Sequence, residues 1–298
     1  MKPALIYSKD YYMDLGTHVF PGEKYRLIYD LLKKRKKLDD LDILSPRPAS
    51  ISDLGLAHSS SYRDSLFSLK QNSMTAYSEI PLTKPIVEAF VLAAGGTILA
   101  AEEALKRGAA VNLSGGFHHA FSEHAEGFCL INDLAVGIRS LQSRKIIQKA
   151  AVIDCDLHQG NGTARIFSED SSVFTFSIHQ ENNYPPKEKS NLDIGLPDFT
   201  EDEVYLAHLE KAVPQILDTF KPELVLYQAG ADPYKEDKLG GLLISKQGLK
   251  KRDCLVFTQC LSRKIPIAAT LGGGYAEKLE DTVEIHAGTV EAMLEVFK

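Results

Sequence analysis

Short apolar runs recur along the chain, and each gives way to glycine or to a polar cluster. Ala109-Ala110-Val111-Asn112-Leu113 passes into Ser114-Gly115-Gly116, Ala150-Ala151-Val152-Ile153 into Asp154, and Val173-Phe174-Thr175-Phe176 into Ser177. Further on, Glu223-Leu224-Val225-Leu226-Tyr227 passes into Ala229-Gly230-Ala231-Asp232, and Ile265-Pro266-Ile267-Ala268-Ala269 into Leu271-Gly272-Gly273-Gly274. Runs this brief and this apolar suit strands buried on both faces of a parallel sheet. Helical patterns lie between them. The segment 84–107 is rich in Ala, Leu and Glu, with Pro85 near its start and Gly108 where a C-cap belongs. Gly95 and Gly96 inside it predict close packing against a neighbour. Thr200 and Glu203 form the pattern of a capping box opening a helix to about residue 220, which Pro214 is expected to kink or divide. Residues 246–263 and 276–297 also read as helices. Alternating strand and helix predicts an α/β fold with a mainly parallel sheet of about eight strands, covered on both sides in three α/β/α layers.

No repeat, low-complexity tract or linker interrupts the 298 residues, so residues 1–298 are expected to form one catalytic domain. The longest irregular stretch is 180–198, with Pro185 and Pro186. The run Lys33-Lys34-Arg35-Lys36-Lys37 admits nucleic-acid binding or targeting, but a solvated helix C-terminus explains it more simply. At 44% hydrophobic, 25% charged and a net charge of −6, the composition is that of an ordinary soluble protein with no expectation of nucleic-acid binding. Cys129, Cys155, Cys254 and Cys260 lack C-x-x-C spacing and read as reduced thiols. Ser8, Lys9 and Asp10 follow the N-terminus too soon for a signal-peptide core, and no apolar run approaches the ~20 residues of a membrane span. The expected location is therefore cytoplasmic, away from membranes. Oligomeric state is not readable.

The polar residues of interest all follow predicted strand ends, where ligands bind in open parallel sheets. The segment Asp154-Cys155-Asp156-Leu157-His158-Gln159-Gly160-Asn161-Gly162 carries most information. A side-chain period of two puts Asp154, Asp156 and His158 on one face. Three ionisable groups there need a counter-charge, which a cation supplies. Carboxylate oxygen with imidazole nitrogen suits zinc or Fe(II) better than calcium. Asp232, after another strand, completes a three-ligand set with a position open to water. Read alone, the segment fits equally well an N-cap aspartate beside a hydrogen-bonded core histidine. The turn Gly115-Gly116-Phe117-His118-His119 offers two imidazoles as metal ligands, general bases or surface residues, with Asp154 and Asn161 available to orient a base. In Leu271-Gly272-Gly273-Gly274-Tyr275 the glycines admit close backbone approach, and no Lys-Ser/Thr follows, so this is not a P-loop. Tyr275 is either an oxyanion donor or a packing residue.

Taken together, these segments resemble the histone deacetylase family. GGFHHA at 115–120, GFC at 127–129, DCDLHQGNG at 154–162, AGAD at 229–232 and LGGGY at 271–275 stand in that family's order, and the likeness runs from about Tyr7 to the last helix. HQGN at 158–161, and GGL at 240–242, look more like class IV and bacterial deacetylases than class I. The resemblance implies the arginase/deacetylase fold and a zinc-dependent (or Fe(II)-dependent) amidohydrolase. It implies Asp156, His158 and Asp232 as metal ligands and His118 and His119 as the tandem pair, with His119 the general base and acid. It further implies Asp154 as the partner of His118 and Tyr275 as the transition-state tyrosine. Asn161 stands where class I enzymes have an aspartate, a departure that weakens the support for His119. Gly127 and Phe128 resemble the walls of an acyl-lysine tunnel, Tyr184, Leu239 and Gly273 are further substrate-binding candidates, and Asp154, Ser177 and Ile178 resemble a structural potassium site. The implied substrate is acyl-lysine in a protein or peptide, with small acetylated amines such as acetyl-polyamines as the alternative. A two-manganese ureohydrolase fits less well, because Pro233, Tyr234, Gln159 and Gly160 supply no second ligand set. A non-catalytic acyl-lysine binder would lack a ligand or the tyrosine, and all are present.

Overall fold

The structure, a computed structural model, describes residues 2–298 and leaves Met1 outside. The first half of the chain runs β1 (Ala4–Ile6), α1 (Lys24–Lys34), β2 (Asp42–Leu44), α2 (Ile51–Leu54), α3 (Ser60–Phe67), α4 (Lys84–Arg107), β3 (Ala109–Asn112) and α5 (Asp133–Ser143). It continues through β4 (Ala150–Asp154), α6 (Asn161–Ile166), β5 (Val173–Gln180), β6 (Leu192–Leu196) and α7 (Asp202–Phe220). The chain closes with β7 (Leu224–Gln228), α8 (Lys246–Ser262), β8 (Ile267–Thr270) and α9 (Leu279–Val296). The strands make one eight-stranded sheet in the order β2-β1-β3-β8-β7-β4-β5-β6, and every pairing is parallel.

Alternate residues of the central strands feed two separate cores, as a two-period requires. In β4, Ala150 and Val152 pack with Ala93 and Ala94 of α4 and Leu134 of α5. Ala151 and Ile153 face the other way, among Ile28 of α1, Leu209 of α7, Val256 of α8 and Met293 of α9. The result is the expected three-layer α/β/α arrangement.

Gly95 and Gly96 do mark a close approach: a methyl on Gly95 would lie 1.8 Å from the Arg47 carbonyl oxygen, and one on Gly96 would lie 2.1 Å from the Tyr11 hydroxyl. One expectation about this segment is corrected. Helix α4 is long and apolar enough to cross a membrane by length and composition, although most of its apolar window is buried in the protein. The basic run 33–37 lies where α1 ends, and Arg35 pairs with Glu284 and Glu291 of α9.

Three further local expectations need amending. No capping box opens α7: Glu201 is its N-cap without a side-chain bond, and the Thr200 hydroxyl donates to the Pro197 carbonyl at 2.7 Å instead. Pro214 does not divide that helix, which runs unbroken while Val213, Ile216 and Leu217 are buried against the sheet. The stretch 180–198 holds an edge strand, β6, in which outward-facing Asp193 and Gly195 masked the apolar signal. Strands β1 and β2 escaped notice because three residues carry no usable period.

The sheet's register sets up the site. Asn112, Thr270, Gln228 and Asp154 lie level across β3, β8, β7 and β4, and Ser177 of β5 pairs with Asp154. These are neighbouring strands, so the loops that leave them emerge side by side at the carboxyl edge.

Candidate active site

Gln228, the last residue of β7, joins three of those loops. Its Nε2 donates to the Gly116 carbonyl at 2.8 Å and to Asp156 Oδ2 at 3.2 Å, and its Oε1 accepts from the Gly272 amide at 3.2 Å. Asp133, at the start of α5, accepts from the Gly116 and Phe117 amides at 3.0 and 2.7 Å and so fixes the turn that carries the paired imidazoles. Buried amides are thereby satisfied while the loops are locked together.

Asp156, His158 and Asp232 are all buried, and each offers a ligand atom within 4.8 Å of the others. His158 Nδ1 lies 3.2 Å from Asp232 Oδ2 and 3.4 Å from Asp156 Oδ1. The backbone helps to aim these groups: the Leu157 amide donates to Asp232 Oδ1 at 2.9 Å and the His158 amide to Asp156 Oδ1 at 3.0 Å. Gly230 and Gly273 leave room for the carboxylates. A methyl on Gly230 would stand 2.4 Å from Asp156 Oδ2, and one on Gly273, at φ 60°, would stand 2.6 Å from both carboxylates. Burial and the nearby Asp156 push the Asp232 carboxyl pKa up. Burial opposes charge on His158, but the flanking carboxylates outweigh it and raise its pKa to about 10. Two crowded, desolvated carboxylates beside one imidazole form a donor set that a divalent cation would satisfy, so these residues fit a metal of the zinc type.

Asp154 turns away from this cluster. Its Oδ2 accepts from His118 Nδ1 at 2.7 Å, and its Oδ1 accepts from the Asp156 amide at 3.1 Å. His119 Nδ1 donates to Asn161 Oδ1 at 2.8 Å, and the two Nε2 atoms stand 3.1 Å apart. The imidazoles differ electrostatically. Burial disfavours charge on both, yet Asp154 and Asp156 outweigh it at His118 and raise its pKa to about 9. At His119, burial and the neighbouring His118 and His158 act together and hold the ring neutral.

Above the cluster opens a cavity of about 180 Å³ lined by Glu79, His119, Gly127, Phe128, His158, Asn183, Tyr184, Leu239 and Tyr275. All four tunnel candidates, Gly127, Phe128, Tyr184 and Leu239, therefore meet there. Phe128 holds φ at 63°, uncommon for a bulky residue, and its amide is tied to the Ser78 carbonyl at 3.0 Å. Its ring meets Tyr275 edge-on at 5.7 Å, and Tyr184 meets His119 edge-on at 5.3 Å. Burial, with Asp232 and Asp156 nearby, holds the Tyr275 phenol well above its usual pKa, so it is a hydrogen-bond donor. Gly273 lines the narrow space beneath, with Asp156, His118 and Tyr275. Ser177, buried beside Asp154, has its hydroxyl 2.9 Å from His179 Nδ1, and Ile178 is buried next to it.

Several residues of the site had not been singled out in the sequence. Asp237 accepts from the Tyr275 and Leu239 amides at 2.6 and 2.9 Å, and burial with Asp232 nearby raises its pKa to about 7. Lys24, wholly buried, donates to the Gly273 carbonyl, and burial lowers its pKa to about 8 against the pull of Asp232 and Asp156. Glu126 accepts from Asn161 Nδ2 at 2.7 Å and from the Tyr184 hydroxyl at 3.1 Å. Its place directly before Gly127 in the 127–129 motif was the one available signal.

Comparison with known proteins points the same way. A family model described as the histone deacetylase domain matches residues 18–290. An uncharacterized protein of Picosynechococcus sp. is 38% identical over 299 residues, covering 98% of this chain and 99% of that one. Histone deacetylase 2 of Arabidopsis thaliana is 32% identical over 95% of this chain and 78% of its own length. The acetoin utilization protein AcuC of Bacillus subtilis is 34% identical over 79% of this chain and 67% of its own.

Proposed function

The chain belongs to the histone deacetylase family, and from that premise we propose that it hydrolyses the acyl-amide of N6-acetyl- or longer acyl-lysine in a protein or peptide. The observation that carries the reading is one of placement. The buried ligand cluster Asp156, His158 and Asp232 lies at the foot of a cavity whose lining includes His119 and Tyr275.

Asp156, His158 and Asp232 would hold zinc or Fe(II). When bound, such an ion supplies Lewis acidity at the amide carbonyl and makes water beside it more acidic. The chain's own groups do the rest. His119, its Nδ1–H tied to Asn161, presents Nε2 to take the proton of the attacking water. Tyr275 donates to the carbonyl oxygen as negative charge gathers there. His118, charged and held by Asp154, stabilises the negative charge that develops on the substrate carbonyl, and an imidazolium of the pair returns a proton to the departing amine. Phe128, Leu239 and Tyr184 wall the cavity, where they would hold a methylene stem and keep water out. We further propose that Asp154, Ser177 and Ile178 would border a structural potassium ion, a reading supported only by the register that sets Ser177 beside Asp154.

Glu79 brings a carboxylate to the same cavity, which also suits a small ligand with a free cationic amine, such as an acetyl-polyamine. A panel of acetyl-lysine peptides, longer acyl-lysine peptides and acetyl-polyamines, assayed with zinc and with Fe(II), separates the readings, with a hydroxamate chelator as control. Hydroxamate-sensitive turnover of acyl-lysine peptides is expected. Turnover of acetyl-polyamines alone would move the assignment to small amines, and no turnover of any member would overturn it.

A further inference from the structure

Asn161 stands between an imidazole and a carboxylate. Its Oδ1 lies 2.8 Å from His119 Nδ1, and its Nδ2 lies 2.7 Å from Glu126 Oε1. A carboxamide has two faces of similar shape, one donating and one accepting. Left alone, it can turn over and meet His119 with either. An ionised carboxylate only accepts, so Glu126 can take nothing but Nδ2–H. That fixes Oδ1 toward His119, which must then carry its hydrogen on Nδ1 and leave the Nε2 lone pair on the side it shares with the cavity and with His118 Nε2, 3.1 Å away. We propose that Glu126 is a positioning residue: acting through Asn161, it selects the His119 tautomer that can accept a proton.

Independent contacts hold Glu126 in place. Its backbone bridges Cys129: the Glu126 amide donates to the Cys129 carbonyl at 3.2 Å, and the Glu126 carbonyl accepts from the Cys129 amide at 2.9 Å. Its other oxygen lies 3.3 Å from His124 Nε2, and the Tyr184 hydroxyl donates to Oε1 at 3.1 Å. Burial works against its charge, but the bonds from His124, Asn161 and Tyr184 outweigh burial and lower its pKa. The carboxylate missing from position 161 is thus present one residue further out, with a neutral amide relaying its preference. The proposal rests on the deacylase reading for its chemical purpose, but the tautomer can be read without any substrate.

The test uses zinc-loaded protein with 15N-labelled histidine. Long-range proton–nitrogen spectra report which nitrogen of His119 bears hydrogen, and kcat and KM are measured alongside on an acetyl-lysine peptide. Wild type is expected to show the Nδ1–H form. Glu126→Ala should give a mixture of tautomers, with kcat lower by about tenfold, a fraction of what a general base contributes. Glu126→Lys, which can only donate, should drive the ring to the Nε2–H form. Glu126→Gln still accepts through its carbonyl and should largely keep the wild-type tautomer. Tyr184→Phe removes another partner of the same Glu126 oxygen and should leave the tautomer unchanged. In an Asn161→Asp background either oxygen accepts Nδ1–H, so adding Glu126→Ala should cost nothing in kcat or raise it. An unchanged tautomer in Glu126→Ala and Glu126→Lys, or an equal loss of kcat in the Asn161→Asp background, would overturn the proposal. An inactive wild type with an Nδ1–H ring would instead count against the deacylase reading alone.

Discussion

His158 Nδ1 lies 3.2 Å from Asp232 Oδ2, although 74 residues separate the two in the chain. They meet because β4 and β7 are neighbours in level register, so the loops that follow them cross at one point. With Asp156 they form a buried set of like and unlike charges that a divalent ion would complete. Wild-type protein should therefore gain about 2.7 kcal/mol of stability at zinc one hundredfold above its Kd. Asp232→Asn should lose most of that gain, as thermal unfolding with and without zinc would reveal. An undiminished shift in Asp232→Asn would remove Asp232 from the ligand set.

Tyr275 lines the cavity as a neutral phenol. Tyr275→Phe keeps the ring and its edge contact with Phe128 but loses the donor. Turnover should fall on the order of 10²–10³-fold with little change in KM, as for other oxyanion donors. Steady-state kinetics on an acetyl-lysine peptide checks this, and an unchanged kcat would reduce Tyr275 to a wall residue.

Gly273 combines a left-handed backbone with direct approach to Asp156 and Asp232. In Gly273→Ala the methyl should displace a carboxylate and weaken zinc binding at least about tenfold, while backbone strain costs roughly 1–2 kcal/mol. Competition with a chromogenic chelator measures the first effect, and urea unfolding of the metal-free protein measures the second.

His58 ties the imidazole-bearing turn to the start of α5. Its Nδ1–H donates to the Phe121 carbonyl at 2.9 Å, and its Nε2 accepts from the Asn132 amide at 3.0 Å. Burial, with Arg63 nearby, lowers its pKa to about 4 against a partial offset from the Phe121 bond. The folded state thus resists protonation that the unfolded chain accepts near its ordinary pKa of about 6.5. Its stabilising effect is complete above that value and falls away as pH drops from about 6.5 to about 4, by roughly 3 kcal/mol in all. His58→Gln should be less stable than wild type at pH 7, and the gap should narrow by that amount near pH 4. Urea unfolding at both pH values tests this, and a gap that stays constant would contradict it.

Legibility followed burial and distance along the chain. Strands β3, β4, β5, β7 and β8 were readable because both faces are buried and the runs are uniformly apolar. Edge strand β6 was not, because one of its faces is polar, and β1 and β2 were too short to show a period. The ligand and imidazole segments stood out because each packs its polar groups into a few consecutive residues at a strand end. Gln228 and Lys24 were silent for the opposite reason, and Glu126 was marked only by its place beside Gly127. Their contacts form across the fold, as when Asn161 meets Glu126 over 35 residues or Lys24 meets Gly273 over 249. Pro214 and Thr200 show local preference overruled: tertiary packing keeps α7 continuous, and Pro197 claims the Thr200 hydroxyl.

The account turns on metal-dependent amide hydrolysis at the Asp156, His158 and Asp232 cluster. The most direct measurement is turnover of an acetyl-lysine peptide by chelator-stripped protein during a zinc titration. Activity should be absent at the start and rise linearly to a plateau at one equivalent, with no rise in Asp156→Ala. Full activity in demonstrably metal-free protein, or the same titration curve in Asp156→Ala, would contradict it.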